Sequence, residues 1–213
     1  RLATTMAERL GVAQQMIDGR RVTDKETLDI VTMVYGGLVN KQLVASLQNM
    51  GINAIGLTGA DGGWMKAVKR PVKNGIDYGF VGDVTEVRGD VLRMLLDEGM
   101  TPVIAPITFC QEGVLLNTNA DTIASETAIS LAPDVQLTFC FEKAGVLRDA
   151  DDESSLIPSI TPESYTQLKA DGIVSGGMIP KIDNAFAAIE HGVQSVRITH
   201  ASNLQGGTII EHA

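Results

Sequence analysis

Two stretches decide the fold of this chain, Leu116-Asn117-Thr118-Asn119-Ala120-Asp121 and Ser175-Gly176-Gly177-Met178-Ile179-Pro180-Lys181. In the first, short polar side chains alternate where a strand-like segment ends and a predicted helix, Ala120–Leu131, begins. In the second, two glycines lead into an amphipathic helix, so that backbone N–H groups and the helix dipole can face an anion. Lys181 adds a full positive charge. Together the stretches predict a phosphoryl-transfer site.

The composition favours a globular protein that acts on a small molecule. The chain has 213 residues, of which 44% are hydrophobic, enough to bury a core in one domain or in two tightly joined lobes. Its formal net charge is −9. Because binding to a nucleic-acid backbone needs a dense basic face, we expect no nucleic-acid partner.

The cysteines and histidines suggest no metal centre. Cys110 and Cys140 lie in separate apolar segments, and we expect both to be buried and reduced. The histidines His191, His200 and His212 lack metal-ligand spacing.

No basic leader with an apolar core opens the chain, and we expect no apolar run of membrane-spanning length, which indicates a cytoplasmic protein.

The first part of the chain alternates helices with short apolar strands. Thr23 and Glu26 form a capping-box pattern before a helix, and a second helix is predicted to end at Gly51. Segments 64–70 and 78–87 predict a hairpin, and 101–107 an apolar strand that leads into the first stretch. This alternation favours an α/β fold with a parallel sheet.

The second part continues the pattern. We predict a strand over 135–141, a helix over 161–170, a long amphipathic helix after Lys181, and two strands over 195–199 and 208–211. The usual spellings of P-loop enzymes, dinucleotide-binding folds, serine hydrolases and zinc proteases are absent from the sequence.

The chain resembles the N-acetyl-L-glutamate kinases of the amino-acid kinase family along essentially its whole length. Five stretches in the family's order carry the resemblance: Gly19–Thr23, Gly56–Asp61, Gly79–Val84, Asn117–Asp121 and Gly177–Lys181. The resemblance implies a three-layer αβα sandwich with a mainly parallel central sheet. It also implies ATP-dependent phosphorylation of the N-acetyl-L-glutamate γ-carboxylate in arginine biosynthesis, with Mg²⁺, in a cytoplasmic enzyme that is expected to be a homodimer.

The resemblance also assigns roles to the lobes. Residues 1–132 would bind the acylamino acid and dimerise, and residues 133–213 would bind ATP, with the boundary near Ala132-Pro133. Arg21, Asn117 and Asn119 would bind the substrate, since a guanidinium pairs with a carboxylate and an amide hydrogen-bonds to it.

The catalytic residues implied by the resemblance are Lys181, which would contact the transferring phosphoryl group, and Asp121, which would position the catalytic lysines. The nucleotide would be bound by a further four residues: Glu142, Ile173, Gly177 and Met178. Glu142 replaces a more usual aspartate. The substrate carboxylate is already ionised at neutral pH, so no general base is needed.

One departure from the family concerns the start of the chain. The family's opening Lys-x-Gly-Gly strand and His-Gly-Gly-Gly loop are absent from the sequence, which begins at Arg1. We therefore expect an upstream part that carries half of the phosphate cradle and a second catalytic lysine.

Three alternatives to this function stay open at this point. The chain could be a non-catalytic ligand-binding domain of the same fold, or a sister kinase for aspartate, carbamate or a nucleotide. The acceptor could also be N-succinyl-L-glutamate, whose additional carboxylate would need a further cation. The candidate cations for that carboxylate are Arg20, Lys69, Arg70 and Lys73.

Overall fold

The computed structural model describes residues 2–17 and 20–211 and divides the chain into two compact units. Gly19 and His212, which entered the sequence analysis, lie outside the described residues, as does Arg1, and so does the side chain of Arg20. The first unit runs to Ile123 and the second begins at Ala124. Each unit has its own sheets and helices.

The secondary structure alternates between helices and short strands along the whole described chain. The α-helices are α1 (Leu2–Arg9), α2 (Lys25–Val31), α3 (Asn40–Asn49), α4 (Gly89–Asp97), α5 (Ala120–Leu131), α6 (Pro162–Ala170) and α7 (Met178–Glu190). The strands are β1 (Met16–Ile17), β2 (Arg20–Arg21), β3 (Ala54–Leu57), β4 (Met65–Lys69), β5 (Gly82–Val87), β6 (Thr101–Ile104), β7 (Ile107–Phe109), β8 (Leu115–Asn117), β9 (Gln136–Phe141), β10 (Ser159–Ile160), β11 (Ser195–His200) and β12 (Thr208–Ile210).

The first unit contains a four-stranded sheet in the order β5-β4-β7-β8 and a separate parallel pair, β3 and β6. The predicted hairpin is present, because β4 and β5 pair antiparallel. The predicted strand over 101–107 is divided between the two sheets, with β6 beside β3 and β7 beside β4. In β8, Asn117 lies opposite Ile107, which brings the first stretch to the end of a hairpin.

The helix after β2 differs from the prediction in two ways. Its N-cap is Asp24, whose carboxylate accepts a 2.8 Å hydrogen bond from the Thr27 N–H, so the capping box expected at Thr23 is wrong. The expected pair of helices is one continuous helix, because α2 and α3 are joined by a π-helical segment, Thr32–Val39. Gly36 lies within the π-helical segment, and a Cβ there would lie 3.4 Å from the Thr58 methyl group, at van der Waals contact.

This continuous helix, Lys25–Asn49, is long and apolar enough to cross a membrane by length and composition alone, contrary to the sequence expectation. A core helix passes the same test, so this is weak evidence for a membrane span. One side of the helix is in the core of the first unit, where its buried residues contact α1 and β7. That core contains Ala3, Ala7, Leu28, Ile30, Val31, Val34 and Ile107.

The second unit is built on a four-stranded sheet in the order β10-β12-β11-β9. β9 runs parallel to β11 from Gln136 opposite Ser195 to Phe141 opposite His200, and β12 is antiparallel to β11. Along β9, buried and exposed residues alternate, so one face of the strand joins the core. Cys140 lies on the other face and is exposed, which corrects the expectation that it is buried; Cys110 is buried as expected.

Helix ends in the second unit follow the sequence closely. Thr161 caps α6 in a reciprocal box with Ser164, and Pro162 occupies the first turn. α5 has the predicted bounds, Ala120–Leu131.

The division into units falls in the first turn of α5, between Ile123 and Ala124, whereas the boundary expected near Ala132-Pro133 lies just beyond its last turn. The α/β fold class is confirmed, with parallel pairs in both units.

Candidate active site

Arg21 ends β2, and its guanidinium is held by two side chains of the first unit. One N–H donates to the Gln14 side-chain oxygen, and another donates to Thr4 Oγ1 at 3.0 Å. Both acceptors are neutral, so these contacts orient the guanidinium without neutralising its charge. An oriented, charged guanidinium is suited to bind a carboxylate through paired hydrogen bonds.

Asn117 ends β8 and is fixed by a ring of three hydrogen bonds. Its Nδ2 donates to Thr23 Oγ1 at 3.0 Å, and its backbone N–H donates to the Phe80 carbonyl at 2.9 Å. The Phe80 N–H in turn donates to the Thr23 carbonyl at 2.6 Å. Thr23, Phe80 and Asn117 come from three distant segments. Thr23 is the member that sequence reasoning missed, because its pattern pointed to a helix cap.

The residues after Asn117 enter α5 through a buried hydroxyl pair and a cap. Thr118 Oγ1 lies 2.8 Å from Thr108 Oγ1, and both threonines are buried. Asn119 Oδ1 accepts a 3.0 Å hydrogen bond from the Thr122 N–H, so the side chain caps α5. Asp121 is half-buried in the first turn, where a carboxylate is favoured by the helix dipole.

Lys181 lies one turn into α7, in the second unit. Its Nζ lies 4.8 Å from the centroid of the Phe139 ring, which β9 places in the core. The ring face attracts the ammonium group electrostatically. The geometry therefore holds a positive charge close to the start of α7.

The glycine-led turn before α7 differs from the expected anion cradle. Gly176 has φ +52°, and the Met178 N–H donates to the Ser175 carbonyl at 3.1 Å. The Ile179 N–H donates to the Gly176 carbonyl at 3.3 Å, and Pro180 has no N–H. The N–H groups of the first turn are thus largely used within the turn. The charge of Lys181 and the helix dipole remain as attractive features for an anion.

Tyr165 of α6 connects to the same turn of α7. Its hydroxyl donates to Asp183 Oδ1 at 2.6 Å, and the Ile179 carbonyl oxygen lies 3.2 Å away as a second, longer acceptor. Burial and the Asp183 carboxylate raise the pKa of Tyr165 well above its usual value, so the hydroxyl keeps its proton. Ile179 and Asp183 lie on either side of Lys181 in the helix. Sequence patterns gave no signal for this contact.

The predicted nucleotide residues all belong to the second unit. Ile173 and Met178 are half-buried and pack against its core, whereas Gly177 is exposed as the N-cap of α7. Glu142 is exposed just after β9. The structure therefore brings Gly177 and Met178 close to Lys181 in chain and space, since they occupy adjacent turns of one helix.

Three basic residues of the β4–β5 hairpin, Lys66, Lys69 and Arg70, are paired with carboxylates. Arg70 donates to Asp83 Oδ1 through Nε at 2.9 Å and Nη2 at 2.6 Å. Lys69 Nζ lies 3.7 Å from Asp77 Oδ2. These pairs reduce the charge available to an additional substrate carboxylate.

The sequence is similar to a known protein family and to proteins within it. The model of the family described as "Amino acid kinase family" matches residues 1–200. A protein named acetylglutamate kinase from Phocaeicola vulgatus is 57% identical over 99% of this chain and 83% of its own length. Another of that name from Cytophaga hutchinsonii is 56% identical over 96% of this chain and 78% of its own length.

A solved structure of a protein from Streptococcus mutans UA159 agrees with the fold. It has a TM-score of 0.85 and 30% sequence identity, and the match covers 98% of this chain and 81% of that one. The family model spans nearly all of the sequence, and relatives with more than 50% sequence identity match this chain along nearly its whole length. This chain therefore belongs to the amino acid kinase family.

Proposed function

We propose that this chain catalyses the ATP-dependent phosphorylation of N-acetyl-L-glutamate, in the cytoplasm, as a step of arginine biosynthesis. The observation that carries the proposal is the 57% identity, over 99% of the chain, to a protein named acetylglutamate kinase. The geometry of Arg21 and Asn117 supports the same acceptor, because both side chains are held in place on the first unit.

In the proposed reaction, an oxygen of the substrate γ-carboxylate attacks the γ-phosphorus of ATP. The bond from that phosphorus to the β–γ bridging oxygen breaks, so that ADP leaves and an acyl phosphate remains. The carboxylate is ionised at neutral pH, and no proton has to move. The barrier is the approach of an anion to a polyanion, so catalysis rests on positioning and positive charge.

We assign acceptor binding to the first unit. Arg21 would bind a carboxylate of N-acetyl-L-glutamate, and Asn117 would hydrogen-bond to the same substrate. The Asn119 side chain caps α5, so it would assist substrate binding by holding that helix in place. Asp121 would position cationic groups from the first turn of α5.

We assign ATP binding to the second unit. Lys181 would stabilise the charge on the transferring phosphoryl group, and Gly177 and Met178 would lie along the nucleotide because they begin the same helix. Glu142 and Ile173 would contact the adenosine part. A Mg²⁺ ion would be held mainly by ATP oxygens and water.

We further propose a homodimer that covers exposed apolar residues of the helix Lys25–Asn49. Met33 and Leu43 are 57% and 50% exposed, and exposed apolar side chains on one helix supply surface that a second copy of the chain can bury. Light scattering of the parent protein should give twice the chain mass, and Leu43→Lys should give the single mass. Leu204→Lys, at an exposed site in the second unit, is the control and should stay dimeric. A monomeric parent would refute the dimer.

The activity is tested by ADP release from the natural full-length polypeptide. N-acetyl-L-glutamate, N-succinyl-L-glutamate, aspartate, carbamate and UMP are offered in turn at matched concentrations. We expect N-acetyl-L-glutamate to have the highest kcat/KM. A preference for any other acceptor would overturn the substrate, and no turnover with all five would favour a non-catalytic domain.

A further inference from the structure

The buried hydroxyl of Thr23 connects the two residues assigned to the acceptor. Thr23 is fully buried, and its Oγ1 accepts the 3.0 Å hydrogen bond from Asn117 Nδ2. The same oxygen makes a long 3.5 Å hydrogen bond as donor to the main-chain carbonyl of Arg21. One hydroxyl group therefore contacts both Arg21 and Asn117.

The direction of these hydrogen bonds decides the orientation of the Asn117 amide. Asn117 Nδ2 donates to Thr23 Oγ1 at 3.0 Å, so the amide turns its NH₂ group toward the hydroxyl. The hydroxyl accepts there with a lone pair, and its own hydrogen is directed at the Arg21 carbonyl, 3.5 Å away. The amide oxygen of Asn117 is thereby directed away from Thr23.

The main chain around Thr23 prevents the hydroxyl from moving away. Its N–H donates to the Tyr78 carbonyl at 2.9 Å, and its carbonyl accepts from the Phe80 N–H at 2.6 Å. Thr23 also forms a parallel bridge with Gly79. Because the backbone is held on both sides, the side chain keeps one position relative to Asn117.

We propose that Thr23 is a positioning residue for acceptor binding, which acts through the amide of Asn117 and the main chain of Arg21. This inference rests on the proposed function, since Arg21 and Asn117 are its acceptor residues. Thr23 itself need not touch the substrate. Its contribution is to hold the Asn117 amide in one of its two orientations. An exposed asparagine would exchange freely between the two.

The test is a KM measurement for each substrate in Thr23→Val, which keeps the side-chain shape and removes the hydroxyl. We expect the KM for N-acetyl-L-glutamate to rise about tenfold, because Asn117 loses the partner that orients it, while the KM for ATP stays within about twofold. Thr23→Ser keeps the hydroxyl and should restore the acceptor KM. Thr32→Val is the matched control, since it removes a buried hydroxyl of the same unit at a residue that is not assigned to the acceptor, and its acceptor KM should be unchanged.

A double-mutant cycle separates positioning from general stability. If Thr23 acts through Asn117, adding Thr23→Val to Asn117→Ala should raise the acceptor KM by less than about twofold further. Full additivity of the two changes, or an unchanged acceptor KM in Thr23→Val with an active parent, would overturn the inference alone. A parent enzyme that does not phosphorylate N-acetyl-L-glutamate would overturn the proposed function and this inference with it.

Discussion

Gly79 lies against Thr23 so closely that a Cβ on the glycine would be 2.2 Å from the Thr23 main-chain oxygen. Gly79 also has φ +73°, a conformation that L side chains rarely adopt. Position 79 therefore excludes side chains for two independent reasons. The next residue, Phe80, hydrogen-bonds to both Thr23 and Asn117, so the placement of Asn117 also depends on this glycine.

Replacing Gly79 with alanine should therefore destabilise the protein and weaken acceptor binding. Gly75→Ala is the matched control, because Gly75 has φ +76° but nothing lies within 4 Å of its Cβ. The control should lose about 1–2 kcal/mol of unfolding free energy from backbone strain. Gly79→Ala should lose clearly more in urea denaturation; equal losses would show that the contact with Thr23 is unimportant.

Arg21→Ala should weaken acceptor binding and spare the nucleotide. Loss of a charge-assisted contact costs about 1.5–3 kcal/mol, so the KM for N-acetyl-L-glutamate should rise roughly tenfold to a hundredfold. Arg70→Ala is the comparison, since Asp83 already pairs with Arg70. An equal loss of ATP affinity in Arg21→Ala would contradict its assignment, and a larger acceptor defect in Arg70→Ala would point to an additional substrate carboxylate.

Lys181→Ala should lower kcat and leave acceptor binding nearly intact. Removing one charge that stabilises the transition state costs on the order of 3 kcal/mol, about a hundredfold in rate. Lys169→Ala offers a matched control, because Lys169 Nζ also lies over a ring of the second unit, 4.0 Å from the Tyr165 centroid. Equal kcat values for the two variants would remove Lys181 from the reaction.

Glu126 of α5 should make stability depend on pH. Burial raises the pKa of its carboxyl group, and the neighbouring His191 only partly opposes this. A carboxyl whose folded pKa is raised binds its proton more tightly in the folded state, so stability is lost as pH rises from about 4.3, the unfolded pKa, through the folded pKa. Glu126→Gln should therefore be more stable than the parent at pH 7.5 and similar at pH 4. Urea denaturation of both proteins at both pH values checks this, and equal stabilities at pH 7.5 would contradict it.

Local sequence patterns predicted the elements whose signals are short-range. The bounds of α5, the β4–β5 hairpin and the helix predicted over 161–170 all follow from neighbouring residues. Thr23 and Asp24 both suit an N-cap, and only tertiary contacts decide that Asp24 takes this role while Thr23 turns to Asn117. The exposed side of β9, which carries Cys140, is likewise set by packing and not by apolar content.

Within the candidate site, the sequence did not predict what each proposed residue contacts. Lys181 does lie in the first turn of the helix that follows the glycines. That turn uses its own N–H groups, which depends on dihedral angles that the glycines only permit. The contact of Tyr165 with Asp183 was not predicted, because the two residues lie on different helices. Patterns in sequence carry no information on such pairings until the helices are packed.

The ring formed by Thr23, Phe80 and Asn117 also has a consequence for the order of folding. Its side-chain hydrogen bond joins residues 94 positions apart, and closing so long a loop costs entropy that is recovered only when surrounding contacts exist. Contacts of high sequence separation generally form late. During refolding, helical circular dichroism should return before N-acetyl-L-glutamate binding does, so that a chain with native-like secondary structure is still unable to recognise its acceptor.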